Sequence, residues 1–532
     1  MRTVRDAAFD VMRHHGMTTI FANPGSTEVA LLADLPDDLD FILALHEGSV
    51  VGAATGWAIV RDAPALVLLH TTAGLGNAVG ALATARVNRA PLVVLTGQQD
   101  RRHLAQEPFL AGKLEGLAGD YPVRVETPLR AQDVPGAIGR AAHAARTQRG
   151  PALVIVPMND WAEPADDLPI PAPATLRQAT AADPESVAQL AHLLHGARSP
   201  ALVAGAAADT AAGWEALTAL AERLNCPVWQ ESFGARAGFP QQHRLFAGHL
   251  PADRARLRDT LAPYDVVLAI GAPMLRQYAY VPGPLVHPGT RLALVTDDPN
   301  EAHRAPVELA VVAPLPALCA ALAAQVPARD QAPEIPERAQ PPAPPRPGEA
   351  LRAAHVLAAL AERLPADTVL VEETPSSRPD LHALIPARQP LGFLSAAMGG
   401  LGFALPAAIG IRMAAPHRPV VAVVGDGSSL YQIQALWTAA HYGVGAVFVV
   451  LANSRYAIMD RLAEKQGGKA PWPAFEEVSV GSLAEALGCP ARQITHYDNL
   501  ISELDSLVTT FETRAEPLVL EVVVEPDPTF QP

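Results

Sequence analysis

The stretch from Pro419 to Met459 restricts the fold more than any other part of the chain. It opens with the β-branched apolar run Val420–Val424, short enough for a strand buried on both faces. The run breaks at Gly425-Asp426-Gly427-Ser428-Ser429 and a helical pattern follows through Tyr442. A second apolar run, Ala446–Leu451, then ends at Asn453. Strand, helix and strand make a βαβ unit with parallel strands. Asp426 and Asn453 therefore close neighbouring strands at the carboxyl edge, where open parallel sheets bind ligands. Gly425 and Gly427 allow a tight turn and close approach to a ligand. The N–H groups of a helix opening at Ser428 favour a phosphate. Asp426 and Asn453 offer hard oxygens, which suit Mg²⁺ shared with a diphosphate. A bare Gly-Asp-Gly is only a turn; the second strand and its terminal amide make the pattern specific.

A chain of 532 residues holds about three domains, each with its own core. Apolar residues make up 49% and charged residues 18%, the balance of a water-soluble globular protein. A net charge of −15 without a Lys/Arg cluster excludes a nucleic-acid partner. Cys226, Cys319 and Cys489 are far apart and lack metal-ligand spacing, so they read as thiols of a reducing, cytoplasmic compartment. Residues 1–16 place Val4, Ala8, Val11 and Met12 on one helical face and carry Asp6 and Asp10, unlike a signal peptide. No apolar run reaches membrane-spanning length.

Residues 1–165 alternate apolar runs with amphipathic stretches, the pattern of a parallel sheet covered by helices. The spacing predicts strands at 18–22, 41–45, 65–70, 92–96 and 152–156. Three of their ends carry chemistry: Asn23-Pro24-Gly25-Ser26-Thr27, His46-Glu47 and His70-Thr71-Thr72. By itself Glu47 reads as a first-turn acid favoured by the helix dipole, and His70 as a satisfied polar residue. Gly74-Leu75-Gly76-Asn77-Ala78-Val79-Gly80 resembles a dinucleotide loop, but its third glycine is one place late and no acid ends the next strand. A second α/β domain spans 185–327, with strands expected at 201–204, 227–229, 266–270, 291–295 and 309–312. Seven prolines between Gln331 and Ala350 mark an exposed, semi-rigid linker at 328–350. A third domain covers 351–527, where the small-residue stretch Ala396–Pro406 is expected to open a helix. The fold class is thus α/β, with three doubly wound parallel-sheet domains.

Almost the whole chain resembles the thiamine diphosphate (ThDP)-dependent enzymes, and among them the benzoylformate decarboxylases. The resemblance lies in FANPGSTE, LALHEGSVVGAATG, LLHTTAGLGNAVGAL, LTGQQ, IGAPMLR, MGGLGFALPAAIG, VVGDGSS and QALWTAAHYG. It implies ThDP and Mg²⁺ as cofactors, with a pyrimidine-binding, a middle and a diphosphate-binding domain. The reaction implied is non-oxidative decarboxylation of a 2-oxo acid to an aldehyde and CO₂. Carried over by position, Glu47 hydrogen-bonds the cofactor pyrimidine, Ser26 holds the substrate carboxylate and His70 relays protons. Asp426, Asn453 and the carbonyl of Arg455 hold Mg²⁺. Gly399, Leu401, Gly425, Asp426, Gly427, Ser428 and Tyr456 contact the cofactor. Ser26, His70, Tyr278, Ile458, Met459 and Leu462 line the substrate pocket. Tyr278 stands where those decarboxylases carry a second histidine, Arg461-Leu462 replaces their aromatic pair after Tyr456, and Ile458 and Met459 beside these are bulky apolar groups that would narrow a pocket. The aryl substrate therefore does not follow from the resemblance. A homodimer is implied as the minimal active unit, because one chain's glutamate domain faces its partner's diphosphate domain, with dimers pairing into a tetramer. Three alternatives remain: a ThDP-dependent carboligase of the acyloin or acetolactate synthase kind, a non-catalytic ThDP-fold binder, and a nucleotide-binding oxidoreductase.

Overall fold

The computed structural model describes residues 2–167, 174, 177, 179–331 and 333–527; residue 332 of the linker lies outside them. Three six-stranded sheets follow one another along the chain, and every strand pairing is parallel. The first comprises β1 (Thr19–Asn23), β2 (Asp40–Leu43), β3 (Ala65–Leu69), β4 (Leu92–Gln98), β5 (Arg124–Glu126) and β6 (Pro151–Pro157), in spatial order β2-β1-β3-β4-β6-β5. The second comprises β7 (Pro200–Ala204), β8 (Val228–Gln230), β9 (Phe246–His249), β10 (Val266–Ile270), β11 (Arg291–Thr296) and β12 (Leu309–Val312), ordered β12-β11-β10-β7-β8-β9. The third comprises β13 (Val369–Glu373), β14 (Phe393–Ser395), β15 (Val420–Gly425), β16 (Val447–Ala452), β17 (Ala491–Ile494) and β18 (Leu518–Val523), ordered β14-β13-β15-β16-β18-β17. The first and third sheets share one topology.

Central strands are built on apolar runs because helices cover both faces; β3 and β16 are apolar and buried at every residue. The apolar-run pattern misses β5 and β9. Both are short edge strands, Arg-Val-Glu and Phe-Ala-Gly-His, too short and too mixed in composition to stand out as apolar runs.

One apolar core joins the outer domains. It runs from Val50, Ala54 and Leu75 to Ala404, Ala407 and Ile411, then to Val420 and Ala422 under the third sheet. The contact depends on small residues where the Glu47–Arg61 and Ala404–Ala414 helices cross. A Cβ on Gly410 would lie 1.8 Å from the Ala53 carbonyl oxygen, and one on Gly56 would lie 2.2 Å from that of Ala407. Polar contacts hold the same seam: Ser49 Oγ donates to Gln432 Oε1 at 2.7 Å, and Leu43 N–H donates to the Tyr442 hydroxyl at 2.8 Å.

Two helices differ from the sequence pattern. The segment after Gly425 is not one helix through Tyr442. It divides into Asp426–Ser429, a 3₁₀ turn at Leu430–Gln432, and Ala435–His441. The tight turn at 430–432 brings Gln432 to Ser49 of the first domain, so docking across the seam overrides the helical period. The stretch 396–403 is a loop, because Gly399 (φ 72°) and Gly402 (φ 89°) are left-handed. The helix starts at Ala404, where the Glu373 carboxylate accepts the N–H groups of Gly402, Phe403 and Ala404. The described residues of the linker lack regular structure, and residues 336–339 line a cavity between the second and third domains. Among the described residues no helix is long and apolar enough to cross a membrane.

Candidate active site

Three neighbouring strand ends of the first sheet form one cluster. β2 leads to His46, which caps the Glu47–Arg61 helix by accepting Gly48 N–H on Nδ1 at 3.0 Å. The cap fixes Glu47 in the first turn. Its carboxylate is 8% exposed and is held by two amides: Asn23 Nδ2, at the end of β1, donates to Oε1, and Asn77 Nδ2 donates to Oε2, each at 3.1 Å. Both donors are neutral amides, so each carboxylate oxygen of Glu47 is held by an N–H and the pair fixes its orientation.

His70 follows β3. Its Nδ1 lies 3.0 Å from Glu28 Oε2 and 3.0 Å from Thr27 Oγ1. Glu28 is 1% exposed and also accepts Gly25 N–H at 2.7 Å. A carboxylate only accepts, so Nδ1 carries the proton and Nε2 is left for chemistry. The packing is tight enough to require glycine twice. A Cβ on Gly25 would meet the His70 ring at 2.4 Å, and one on Gly97 would meet Glu28 Oε1 at 1.8 Å. Thr71, just after His70, is held at φ 34°, a strained value for a β-branched residue. Ser26 is exposed at the rim of this cluster.

The third sheet carries the second cluster. β15 and β16 pair from Val421↔Val447 to Gly425↔Leu451, which brings their carboxyl ends side by side. Asp426, 5% exposed, accepts Gly427 N–H on Oδ1 at 2.7 Å and Ser454 N–H on Oδ2 at 2.5 Å. Burial raises its carboxyl from the ordinary range, opposed by N–H donors including those of Ser454, Gly427 and Asn453. Asn453 Oδ1 accepts Arg455 N–H at 3.1 Å, and Ser454 turns the chain at φ 57°. Tyr456 and Phe475 pack at 5.2 Å, and a Cβ on Gly427 would strike the Tyr456 ring at 2.8 Å. Ser428 is buried in the same turn. Among the described residues no three His, Cys, Asp or Glu side chains cluster as a metal site. Asp426 and Asn453 thus fit a hard cation that takes most of its ligands from elsewhere, such as a diphosphate.

A cavity of about 1300 Å³ opens between the second and third domains. Gly399, Leu401, Tyr278, Ile458, Met459 and Leu462 line it. Tyr278 is 74% exposed, with its N–H donated to the Ala252 carbonyl. No residue before Ser232 lines the cavity, so Glu47, Ser26 and His70 of the same chain stand outside it. The structure therefore groups the expected residues into two sets, one on the first domain and one on the third with the cavity. Asn23, Glu28, Asn77 and Glu373 have no role in the sequence reading, yet they hold Glu47, His70 and the 402–404 turn. Their signal was present for three of them: Asn23 and Glu28 fall inside the FANPGSTE motif and Asn77 inside LLHTTAGLGNAVGAL.

Paired strand-end clusters on two like-folded sheets, one presenting a buried carboxylate and the other an Asp/Asn oxygen pair, define a class. The chain belongs to the thiamine pyrophosphate enzymes, and ThDP is its cofactor. It matches their N-terminal TPP binding domain over residues 2–114, central domain over 187–322 and C-terminal TPP binding domain over 376–522. It is 36% identical over 542 residues to the benzoylformate decarboxylase of Pseudomonas aeruginosa, covering all of both chains. Among solved structures it resembles a ThDP-dependent 4-hydroxybenzoylformate decarboxylase of Rhodococcus jostii RHA1, with TM-score 0.93 and 34% identity, covering 99% of this chain and 100% of that one. It is also similar to benzoylformate decarboxylase of Polynucleobacter necessarius, with TM-score 0.94 and 32% identity over the full length of both.

Proposed function

We propose that the protein is a ThDP- and Mg²⁺-dependent 2-oxo acid decarboxylase that releases an aldehyde and CO₂, with arylglyoxylates as the leading substrate class. The observation that carries this reading is the Glu47 carboxylate, buried without a cation and held by Asn23 and Asn77. Full-length similarity to benzoylformate decarboxylases supports it. When bound, ThDP supplies the carbon nucleophile and accepts the electron pair left as CO₂ departs. Glu47 would hydrogen-bond the pyrimidine ring, with Asn23 and Asn77 holding its carboxylate in place. His70 exchanges protons through Nε2 while Glu28 holds Nδ1 and the ring plane. Ser26 binds the substrate carboxylate. Asp426, Asn453 and the Arg455 carbonyl hold Mg²⁺, and Gly425, Gly427, Ser428 and Tyr456 enclose the diphosphate end. Gly399 and Leu401 position the rings. Ile458, Met459 and Leu462 form an apolar wall that excludes water from the acyl side.

The active unit in this reading is a homodimer. The cavity lacks any residue of the first domain, whereas Ser26, Leu45 (42% exposed) and Phe109 (88% exposed) leave that domain's cluster uncovered. A second chain completes both halves. Protein stripped by a chelator should lose CO₂ release from benzoylformate and regain it only with ThDP and Mg²⁺ together. Aldehyde and CO₂ in equal amounts are expected; a coupled product in place of free aldehyde would instead mark a carboligase.

A further inference from the structure

The loop that carries Gly399 and Leu401 into the cavity is fixed at both ends by other parts of the chain. Glu373 holds its far end, accepting the N–H groups of Gly402, Phe403 and Ala404. Its near end is held from the first domain by Asn88, which ends the Thr71–Val87 helix and is 2% exposed. Asn88 Nδ2 donates to the Ser395 carbonyl at 2.9 Å, and its Oδ1 accepts Ala397 N–H at 3.0 Å. Ser395 closes β14, and its own N–H donates to the Ala235 carbonyl of the second domain at 2.9 Å. One turn earlier on the helix, Thr84 also approaches the loop: a Cβ on Gly400 would lie 3.2 Å from its Oγ1.

A primary amide suits this place because it sets a donor and an acceptor side by side on one planar group. The carbonyl of Ser395 and the N–H of Ala397 bracket a single residue. They are the acceptor and donor that one more parallel strand would satisfy at the sheet edge, and the Asn88 side chain stands in for that strand. Leaving either backbone group buried and unpaired is costly, so the amide selects one path for residues 395–397. That path leads directly into the cavity wall. Gly399 N–H closes a turn onto the Ala396 carbonyl at 2.9 Å, and Gly399 takes φ 72°. Asn88 itself does not line the cavity.

We propose that Asn88 is a positioning residue that presets residues 398–401 for the cofactor, so that Gly399 and Leu401 meet the ThDP rings without rearrangement. It acts through the loop backbone and touches neither cofactor nor substrate. This role rests on the reading of that loop as the place where the rings are held. A loop freed at its near end would sample other shapes, and apparent affinity falls with the fraction of chains already in the binding shape.

Calorimetry of Mg²⁺-dependent ThDP binding to the full chain, with the Tm of each cofactor-free variant beside it, tests the role. Asn88→Ala should raise the ThDP Kd by about ten-fold or more. Tyr442→Phe is the control for seam stability. It deletes a hydroxyl that accepts Leu43 N–H and donates to the Phe41 carbonyl, and should lower Tm while leaving the Kd unchanged. Asn88→Asp gives a readout that packing alone would not move, and it carries the test if Asn88→Ala does not fold. Its protonated carboxyl can accept from Ala397 and donate to Ser395 as the amide does, whereas its carboxylate has no donor for the Ser395 carbonyl. The cations of the adjoining segments, Arg89 and Arg236, are matched by Asp297 and Asp209, and burial favours the protonated form. The Kd of Asn88→Asp relative to that of the unsubstituted protein should therefore be near one at about pH 5 and rise about ten-fold by about pH 8. A Kd raised no more by Asn88→Ala than by Tyr442→Phe, or an Asn88→Asp ratio flat with pH, overturns the role. Both results as expected, without CO₂ release from any 2-oxo acid, keep Asn88 in its role and remove the decarboxylase. Unsubstituted protein that binds no ThDP overturns both.

Discussion

At the scale of single residues, the chemistry depends on how each acid is held. Glu47 is bound by two neutral amides, whereas Glu28 is tied to Gly25, Thr27 and His70. In the proposed reaction the first acid moves a proton and the second orients a ring. Glu47→Gln keeps the shape but cannot pass a proton to the cofactor. ThDP should still bind, while exchange of its C2 hydrogen in deuterated water slows by roughly 10²–10⁴-fold. Unchanged exchange would remove Glu47 from that role. Asp426→Ala acts differently, since it deletes the one carboxylate of the Asp426–Asn453 pair. Calorimetry should show loss of Mg²⁺-dependent ThDP binding rather than slowed chemistry.

At the scale of elements, the helix crossing between the outer domains is the most demanding contact. A helical glycine replaced by alanine ordinarily gains stability. At Gly410 the new methyl would sit 1.8 Å from the Ala53 carbonyl, so the backbones would have to separate. Gly410→Ala should cost roughly 1–3 kcal/mol and lower Tm. Gly139, in the Val134–Gln148 helix, is the control, because its Cβ would meet only His15 and Val11 at 3.6 Å and 3.7 Å. Gly139→Ala should stabilise by about 0.5–1 kcal/mol. A similar Tm change in both variants would contradict the crossing argument.

At the scale of the whole molecule, three buried acids couple folding to pH: Asp209 and Glu231 in the second domain, and Glu373, which lines the cavity beside Gly402. Burial pushes Asp209, Glu231 and Glu373 each up to about 7. The unfolded chain releases these protons near pH 4 to 4.5, but the folded chain keeps them until about 7. Across that window the folded state binds more protons, so its stability falls as pH rises and levels off above it. Glu231→Gln keeps the acceptor for Ala206 N–H, and its Tm should decline less steeply between pH 5 and 7 than that of the unsubstituted protein. Assembly supplies another test. Inactive Glu47→Gln and Asp426→Ala chains, mixed under subunit exchange, should regain partial activity, since some hybrid sites recover both residues. An active monomer in sedimentation would rule out the two-chain site.

The sequence by itself determined the three parallel-sheet domains, because strands buried on both faces must be short apolar runs and their ends must carry the polar residues. It put Glu47, His70, Asp426 and Asn453 at such ends, since a strand-to-helix turn is where an acid or amide escapes the core. Its periodicity could not show that the segment after Gly425 divides at 430–432, because Gln432 obeys Ser49, 383 residues away. Nor could it show Glu373 starting a helix at Ala404, or Asn23 and Asn77 converging on Glu47, contacts made by chain segments far apart in sequence. The stacking of His249 on His382 was hidden for the same reason, since the two residues lie in different domains.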